Sequence, residues 1–104
     1  MNRLSVRLGK ISSLVPFGAR VCDIGTDHGY LSIELISRGD IKTVISTDIN
    51  EKPLLRAKKN IERVGVVGID LRLCDGLLGI KPNEVDTAVI AGMGGEEIIL
   101  ILKK

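Results

Sequence analysis

The sequence has few aromatic residues and no long apolar run. Its 104 residues include one Phe, one Tyr and no Trp, which argues against the base-stacking surfaces of proteins that bind single-stranded nucleic acid. No segment approaches the roughly 20 apolar residues that a membrane-spanning helix needs. The N-terminus alternates charged and apolar residues, so we expect no signal peptide and a soluble, cytoplasmic protein without a membrane partner.

The chain also has few cysteines and a small net charge. Cys22 and Cys74 lie in separate apolar runs, and neither has a second cysteine at a spacing that would bind a metal. We therefore expect two reduced core residues and no metal site. Charged residues make up 27% of the chain, yet the formal net charge is only +2. This balance argues against disorder, and any RNA contact must come from a local basic patch.

What the chain does contain is a regular alternation of short apolar strands and helical segments. After an amphipathic helix over residues 2–15, the pattern predicts strands at residues 19–24, 42–47, 69–73 and 85–91. It predicts helices from a Thr26 or Asp27 cap to Arg38, from an Asn50 cap to Val64 with Gly65 as its stop, and beginning again in residues 96–102. This alternation indicates one α/β domain with a parallel sheet and right-handed crossovers.

The loop after the first predicted strand has the features of a ligand site. In the sequence VCDIGTDHGYL, Gly25 stands where a tight turn needs a residue without Cβ, and Gly29 where the next helix approaches the strand or a ligand. The loop does not match G-x-G-x-x-G. The carboxylate of Asp27 would repel a pyrophosphate, whereas a ligand with a sulfonium and an amino group tolerates it. The loop therefore favours S-adenosylmethionine over NAD.

Two further acidic residues follow the next strands. Asp48 ends the second strand about 20 residues after the loop, where a carboxylate can accept hydrogen bonds from ribose hydroxyls. Asp75 follows the third strand, where it could accept a hydrogen bond from an adenine amino group. Each Asp alone is more often a helix cap or a turn residue. Their joint occurrence at successive strand ends favours a cofactor site.

Three segments carry a family resemblance: DIGTDHGYL, AVIAGMGG at residues 88–95, and LSVRLGKISSLVP at residues 4–16. Together they resemble the bacterial tRNA (adenine-N1)-methyltransferases that modify adenine 22, over essentially the whole chain. The most specific parts are the Asp-His pair in the loop and the AGMGG segment. Most other Rossmann-like methyltransferases carry a glycine in place of Asp27. They also carry an Asn or Asp followed by two prolines in place of Gly92, Met93 and Gly94.

The resemblance implies a Rossmann-like, class I methyltransferase fold that binds S-adenosylmethionine and acts on tRNA. The cofactor-binding residues predicted from the loop, the strand ends and the resemblance are Asp23, Gly25, Thr26, Asp27, Gly29, Asp48, Ile49, Asp75, Gly76, Ala91, Gly92, Met93 and Gly94.

Such a domain normally has more than the four strands predicted here, and the family carries a helical C-terminal extension that helps to hold tRNA. We therefore expect residues 1–104 to be the N-terminal part of the domain, truncated after about four strands, with its own catalytic competence left open. A truncated sheet exposes an edge and apolar surface, which would favour self-association.

Methylation at adenine N1 needs alignment and charge stabilisation more than a nucleophile. Asp27 is the candidate for the electrostatic role, with a helix N-cap as its alternative. His28 could act as an acid or base, or could instead satisfy backbone groups. Tyr30 could stack on a base or pack its helix onto the sheet, and Met93 could line the pocket or fill a gap in the core.

Basic residues on the first predicted helix are the candidates for RNA contact. Arg3, Arg7 and Lys10 could contact tRNA phosphates, or could be ordinary solvated helix charges. Two alternatives to a methyltransferase remain at this point. One is a non-catalytic module that binds the cofactor or a partner chain. The other is an NAD-dependent oxidoreductase, which the Asp27 carboxylate disfavours.

Overall fold

The computed structural model describes residues 3–91 and 97–102. In this part of the chain the α-helices are α1 (Arg3–Leu14), α2 (Tyr30–Ser37) and α3 (Glu51–Val64). The strands are β1 (Val21–Ile24), β2 (Val44–Asp48), β3 (Ile69–Leu73), β4 (Thr87–Ala91) and β5 (Glu97–Ile101), and a short 3-10 turn, Gly76–Gly79, follows β3. None of these helices is long and apolar enough to cross a membrane.

The strands form one sheet in the order β3-β2-β1-β4-β5. The first four strands are parallel, with helical crossovers between β1, β2 and β3, which confirms the α/β, Rossmann-like fold class. β5 runs antiparallel to β4, so the sheet is mixed and has a fifth strand.

The prediction of a helix beginning in residues 96–102 is therefore wrong. The segment is rich in isoleucine, and an apolar run this short has no period that separates a helix from a strand. β-Branched side chains favour the pleated surface, and the outer edge of β4 offers unpaired backbone groups that β5 satisfies.

The helix boundaries are predicted well for α3 and less well for α2. α3 has Asn50 at its N-cap and Gly65, in the left-handed conformation, at its C-cap, as predicted. The predicted Thr26 or Asp27 cap of α2 is wrong, because the N-cap is Gly29 and no side chain caps the helix. The hydroxyl of Thr26 instead binds Asp23, and Asp27 lies within the loop, two residues before the cap.

One face of the sheet, which we call the helical face, packs against the helices. Its strand residues include Val21, Val44 and Val89, which the strand register places on the same side. Leu35 of α2 and Ile11 of α1 pack on these valines, with the remaining buried members of the cluster being Val15, Ala19, Leu31 and Ile41. This cluster is the main core of the described residues.

The opposite face, which we call the open face, carries a smaller core. Cys22, Ile45 and Ala88 are buried there together with Val85, and burial raises the pKa of the Cys22 thiol to about 12. Cys22 is thus a reduced core residue, as predicted. Cys74 lies just beyond β3 and is only half-buried, so its assignment to the core is wrong.

Candidate functional site

The loop between β1 and α2 is pinned to the end of the neighbouring strand. The backbone N–H groups of Gly25 and Thr26 both donate to the carbonyl oxygen of Thr47, each at 2.9 Å. Gly25 has a φ of +72°, a left-handed conformation that residues with a Cβ rarely adopt. The loop therefore rises over the carboxyl edge of β1 and β2, which is where open α/β sheets bind ligands.

A buried carboxylate supports this loop from below. Asp23 is only 2% exposed, and its Oδ2 accepts hydrogen bonds from the hydroxyls of Thr26 at 2.9 Å and Ser32 at 2.6 Å. The Ser32 hydroxyl also contacts that of Ser46 on β2. Burial raises the pKa of Asp23 above its ordinary value, although both hydrogen bonds act in the opposite direction. The network joins β1, β2, the loop and the first turn of α2.

The structure brings Asp27 and Asp48 together through the backbone. One carboxylate oxygen of Asp48 accepts the N–H of Asp27 at 3.2 Å, and the other accepts the N–H of Asn50 at 3.0 Å. Asp48 is nearly buried, whereas the side chain of Asp27 is 59% exposed. Asp27 has a φ of +54°, which Asp tolerates better than most residues with a Cβ. Asp48 thus fixes the turn that presents the Asp27 carboxylate to solvent.

Helix α3 holds the same turn from the side. The side-chain amide of Asn60 donates to the carbonyl oxygen of His28 at 2.8 Å, and Arg56 lies 3.3 Å from Asp27 Oδ1. Gly29 packs so closely on α3 that a Cβ there would lie 3.0 Å from the Cβ of Ala57. Close approach of the two helices, together with a φ of +78°, accounts for glycine at this position.

A cavity of about 390 Å³ opens between the loop and α1. The rings of His28 and Tyr30 stack at its rim with centroids 5.2 Å apart. Its lining includes Asp23, Asp27 and, from α1, Arg7. Four of the predicted catalytic and RNA-contacting positions therefore meet at one concavity.

The other predicted cofactor residues lie along the same edge or outside the described part of the chain. Ile49 is 65% exposed just beyond Asp48, and Asp75 and Gly76 follow β3, where the N–H of Cys74 bonds to the carbonyl oxygen of Asp48. Asp75 is exposed at the start of the 3-10 turn. Gly92, Met93 and Gly94 are outside the described residues, as are the side chains of Arg3 and Ala91.

Four positioning residues were not predicted from the sequence: Ser32, Ser46, Arg56 and Asn60. Two of them carry a signal that could have revealed them. Ser46 is a polar residue inside a fully buried strand, and Asn60 interrupts the apolar seam that Leu54 and Ala57 begin on α3. A polar side chain in such a position has to find a buried hydrogen-bond partner. The partner of Arg56 could not be found in this way, because surface charges on helices are common.

Comparisons with known proteins agree with this geometry. Residues 4–104 match a family model described as a methyltransferase domain. The chain is 39% identical over 102 residues to the tRNA (adenine(22)-N(1))-methyltransferase of Bacillus subtilis, an alignment that covers 97% of this chain and 43% of that protein.

Two solved structures are similar at TM-scores of 0.77. One is TrmK of M. capricolum in complex with S-adenosyl-homocysteine, with 39% identity over 88% of this chain and 42% of that one. The other is a putative tRNA (m1A22) methyltransferase of Streptococcus pneumoniae in complex with S-adenosyl-L-methionine, with 41% identity over 85% and 42%. The chain spans less than half the length of these relatives.

Proposed function

The chain belongs to the methyltransferase-domain family, and from that premise we propose that it is the S-adenosylmethionine-binding part of a methyltransferase that acts on N1 of adenine 22 in tRNA. This family membership confirms the resemblance stated from the sequence. The observation that carries the proposal is the loop at the carboxyl edge of β1, with Asp48 beneath it and Asp27 at its centre.

The residues at this edge fit the chemistry of the cofactor. Each carboxylate oxygen of Asp48 accepts one backbone N–H and keeps further acceptor capacity for a ribose hydroxyl. Ile49 offers an exposed apolar side chain beside it, and Asp75 and Gly76 supply a carboxylate and a backbone at the next strand end. The positive sulfonium of the cofactor is compatible with the acidic loop, whereas a pyrophosphate is not.

Bound S-adenosylmethionine supplies an activated methyl group, so the chain itself has to align the target adenine and stabilise charge. Positive charge develops on the adenine as N1 is alkylated. The Asp27 carboxylate, exposed and fixed through its backbone, is the proposed group that stabilises this charge. His28 and Tyr30 stack on each other at the cavity rim, where they are proposed to orient the extruded base.

The proposed tRNA contact of α1 rests on its position. α1 places Arg7 at the cavity beside the loop, and Lys10 is exposed one turn further along. Phosphate contacts from such residues would position the RNA without reading its sequence. Arg3 belongs to the same proposal.

The proposed self-association uses the edge strand β5. Ile98 and Leu100 lie on the open face and are 54% and 40% exposed, and the outer edge of β5 carries no paired strand in the described sheet. Sedimentation velocity is expected to detect a dimer that the Leu100→Lys substitution dissociates. A monomer at all concentrations would contradict this part of the proposal.

The cofactor proposal is tested by calorimetric titration with S-adenosylhomocysteine and, separately, with NAD. The unchanged chain is expected to bind S-adenosylhomocysteine. Asp48→Ala is expected to weaken that binding at least tenfold, because it removes the ribose acceptor and releases the Asp27 turn. Asp70→Ala, which removes an exposed carboxylate from β3 on the open face, is the matched control and should bind normally.

Binding of NAD without S-adenosylhomocysteine would overturn the methyltransferase proposal in favour of an oxidoreductase. If S-adenosylhomocysteine binds, methyl transfer to unmodified tRNA then separates an active enzyme from a cofactor-binding module. We expect N1-methyladenosine at position 22 when this chain is joined to the remaining length found in its relatives.

A further inference from the structure

The surface of α3 carries its charges unevenly. Lys52, Arg56, Lys59 and Arg63 follow one another at steps of four, three and four residues, and all four are exposed. At about 100° per residue they fall within an arc of about 60° around the helix axis. They form a single line along the helix, which we call the basic stripe.

The other exposed flank of α3 is different. It carries Glu51, Lys58 and Glu62, so its charges are of mixed sign and sum to −1. The exposed Leu55 lies between the two groups of charges, and the buried seam that includes Leu54, Ala57 and Asn60 lies on the other side of the helix. Ordinary solvated helix charges would be expected to mix signs on both flanks. Here every ionisable residue within the arc of the stripe is a cation.

The basic stripe lies on the flank of α3 that adjoins the loop between β1 and α2, which we call the cofactor loop. Arg56 contacts Asp27, and the seam residue next to the stripe, Asn60, binds the carbonyl oxygen of His28. Arg63 in turn contacts the side-chain oxygen of Asn60. The middle of the stripe, at Arg56, therefore lies beside the loop.

We propose that the basic stripe is a second phosphate-contacting surface for the tRNA, separate from the residues of α1. The inference rests on the proposed function, because an RNA substrate is its premise. The eleven residue-to-residue steps from Lys52 to Arg63 give the stripe a length of about 16 Å, enough to follow several phosphates of one strand. α1 and α3 would then contact the RNA backbone on both sides of the loop that receives the base.

The neighbouring residues Lys58 and Lys59 give a matched test, because they lie about 100° apart around the helix axis and only Lys59 belongs to the basic stripe. Binding of fluorescently labelled, unmodified tRNA is measured by anisotropy over a series of KCl concentrations. Lys59→Gln is expected to reduce the slope of log K against log salt by roughly 0.7 to 0.9, the value for one lost phosphate contact. Lys58→Gln, with the same change in charge, is expected to leave the slope unchanged.

A double variant enlarges the effect. Lys52→Gln with Lys59→Gln is expected to weaken tRNA binding about tenfold at fixed salt and to reduce the slope by roughly 1.4 to 1.8. Both side chains lie outside the buried seam of α3, so the urea midpoint of the variant should match that of the unchanged chain.

The outcomes separate the stripe from the cofactor site. Equal slopes for Lys58→Gln and Lys59→Gln, or no tRNA binding by the unchanged chain, would overturn the stripe proposal. S-adenosylhomocysteine binding measured on the same preparations would show whether the cofactor proposal still stands in that case. If the unchanged chain did not bind S-adenosylhomocysteine, that result would instead reject the proposed function itself.

Discussion

The two faces of the sheet are packed to very different degrees. Among the residues that the structure describes, the helical face lies against a core cluster of nine buried residues, including Leu35 and Val89. In the same part of the chain the open face has a cluster of four, and Ile98 and Leu100 stay exposed beside it. Asp23 and Asp48 belong to the helical face, and α3 holds the loop from that side. The site is thus built on the better-packed half of the molecule, where rigid elements fix its geometry.

The largest expected difference between the faces concerns leucine truncation. Leu35→Ala removes a fully buried side chain and is expected to lower the free energy of unfolding by about 2–5 kcal/mol. Leu100→Ala, at a side chain 40% exposed, should cost about 1 kcal/mol or less. Urea unfolding of both variants measures the comparison.

If Leu35→Ala does not fold, Leu35→Met conserves volume and is expected to cost less than about 1.5 kcal/mol. Similar losses in the free energy of unfolding for Leu35→Ala and Leu100→Ala would contradict the described difference in packing between the two faces.

The next difference is between the two ends of the sheet. At each end a side chain holds a loop by donating a hydrogen bond to a backbone carbonyl oxygen. Asn60 holds the cofactor loop through His28, and Arg20 donates to the carbonyl oxygen of Asn83 at 3.3 Å, at the other end of the sheet. Asn60→Ala is expected to weaken S-adenosylhomocysteine binding about tenfold, since the loop loses its contact with α3. Arg20→Ala should leave the affinity unchanged in calorimetry. Equal losses would mean that binding depends on global stability and not on the loop.

These cases show how far the sequence could take the prediction. The caps Asn50 and Gly65 act locally, so α3 is predicted to the residue. The start of α2 is not, because Thr26 is drawn away from capping by Asp23, a partner buried by tertiary packing. β5 could not be predicted, because its identity as a strand depends on the free edge of β4. The site residues at strand ends are predictable from the alternation of elements, whereas the contacts of Arg56 and Asn60 require the relative placement of two helices.

The smallest expected difference is in the pH dependence of stability. Burial raises the pKa of Asp23 above its ordinary value of 3.8, so the folded protein binds that proton more tightly than the unfolded chain. Its contribution to stability is complete below about pH 4 and is lost as the pH rises through the folded pKa. Urea unfolding at several pH values should therefore show that the unchanged protein becomes less stable above about pH 4 and that Asp23→Asn removes this decline.

Glu84, beside the open face, contributes to stability with the opposite pH dependence. Hydrogen bonds from Arg72 lower the pKa of Glu84 from 4.5 to about 2, so the stabilising contribution of Glu84 is present above pH 4.5 and is lost as the pH falls through about 2. Glu84→Gln should flatten the acid side of the same profile, by a small amount because the pair is partly exposed. If both substitutions changed the pH dependence of stability in the same direction, the result would contradict the causes assigned to the two pKa shifts.

Amide NMR of this chain during titration with S-adenosylhomocysteine tests the central claim most directly, because it locates the cofactor on one part of the molecule. We predict that the largest shifts fall on Gly25, Thr26, Asp27 and Ile49 at the carboxyl edge, with Asp70 and Leu100 of the open face unmoved. Shifts concentrated instead at the cavity of the opposite sheet end, lined by Arg20, Lys81 and Asp86, would contradict the account.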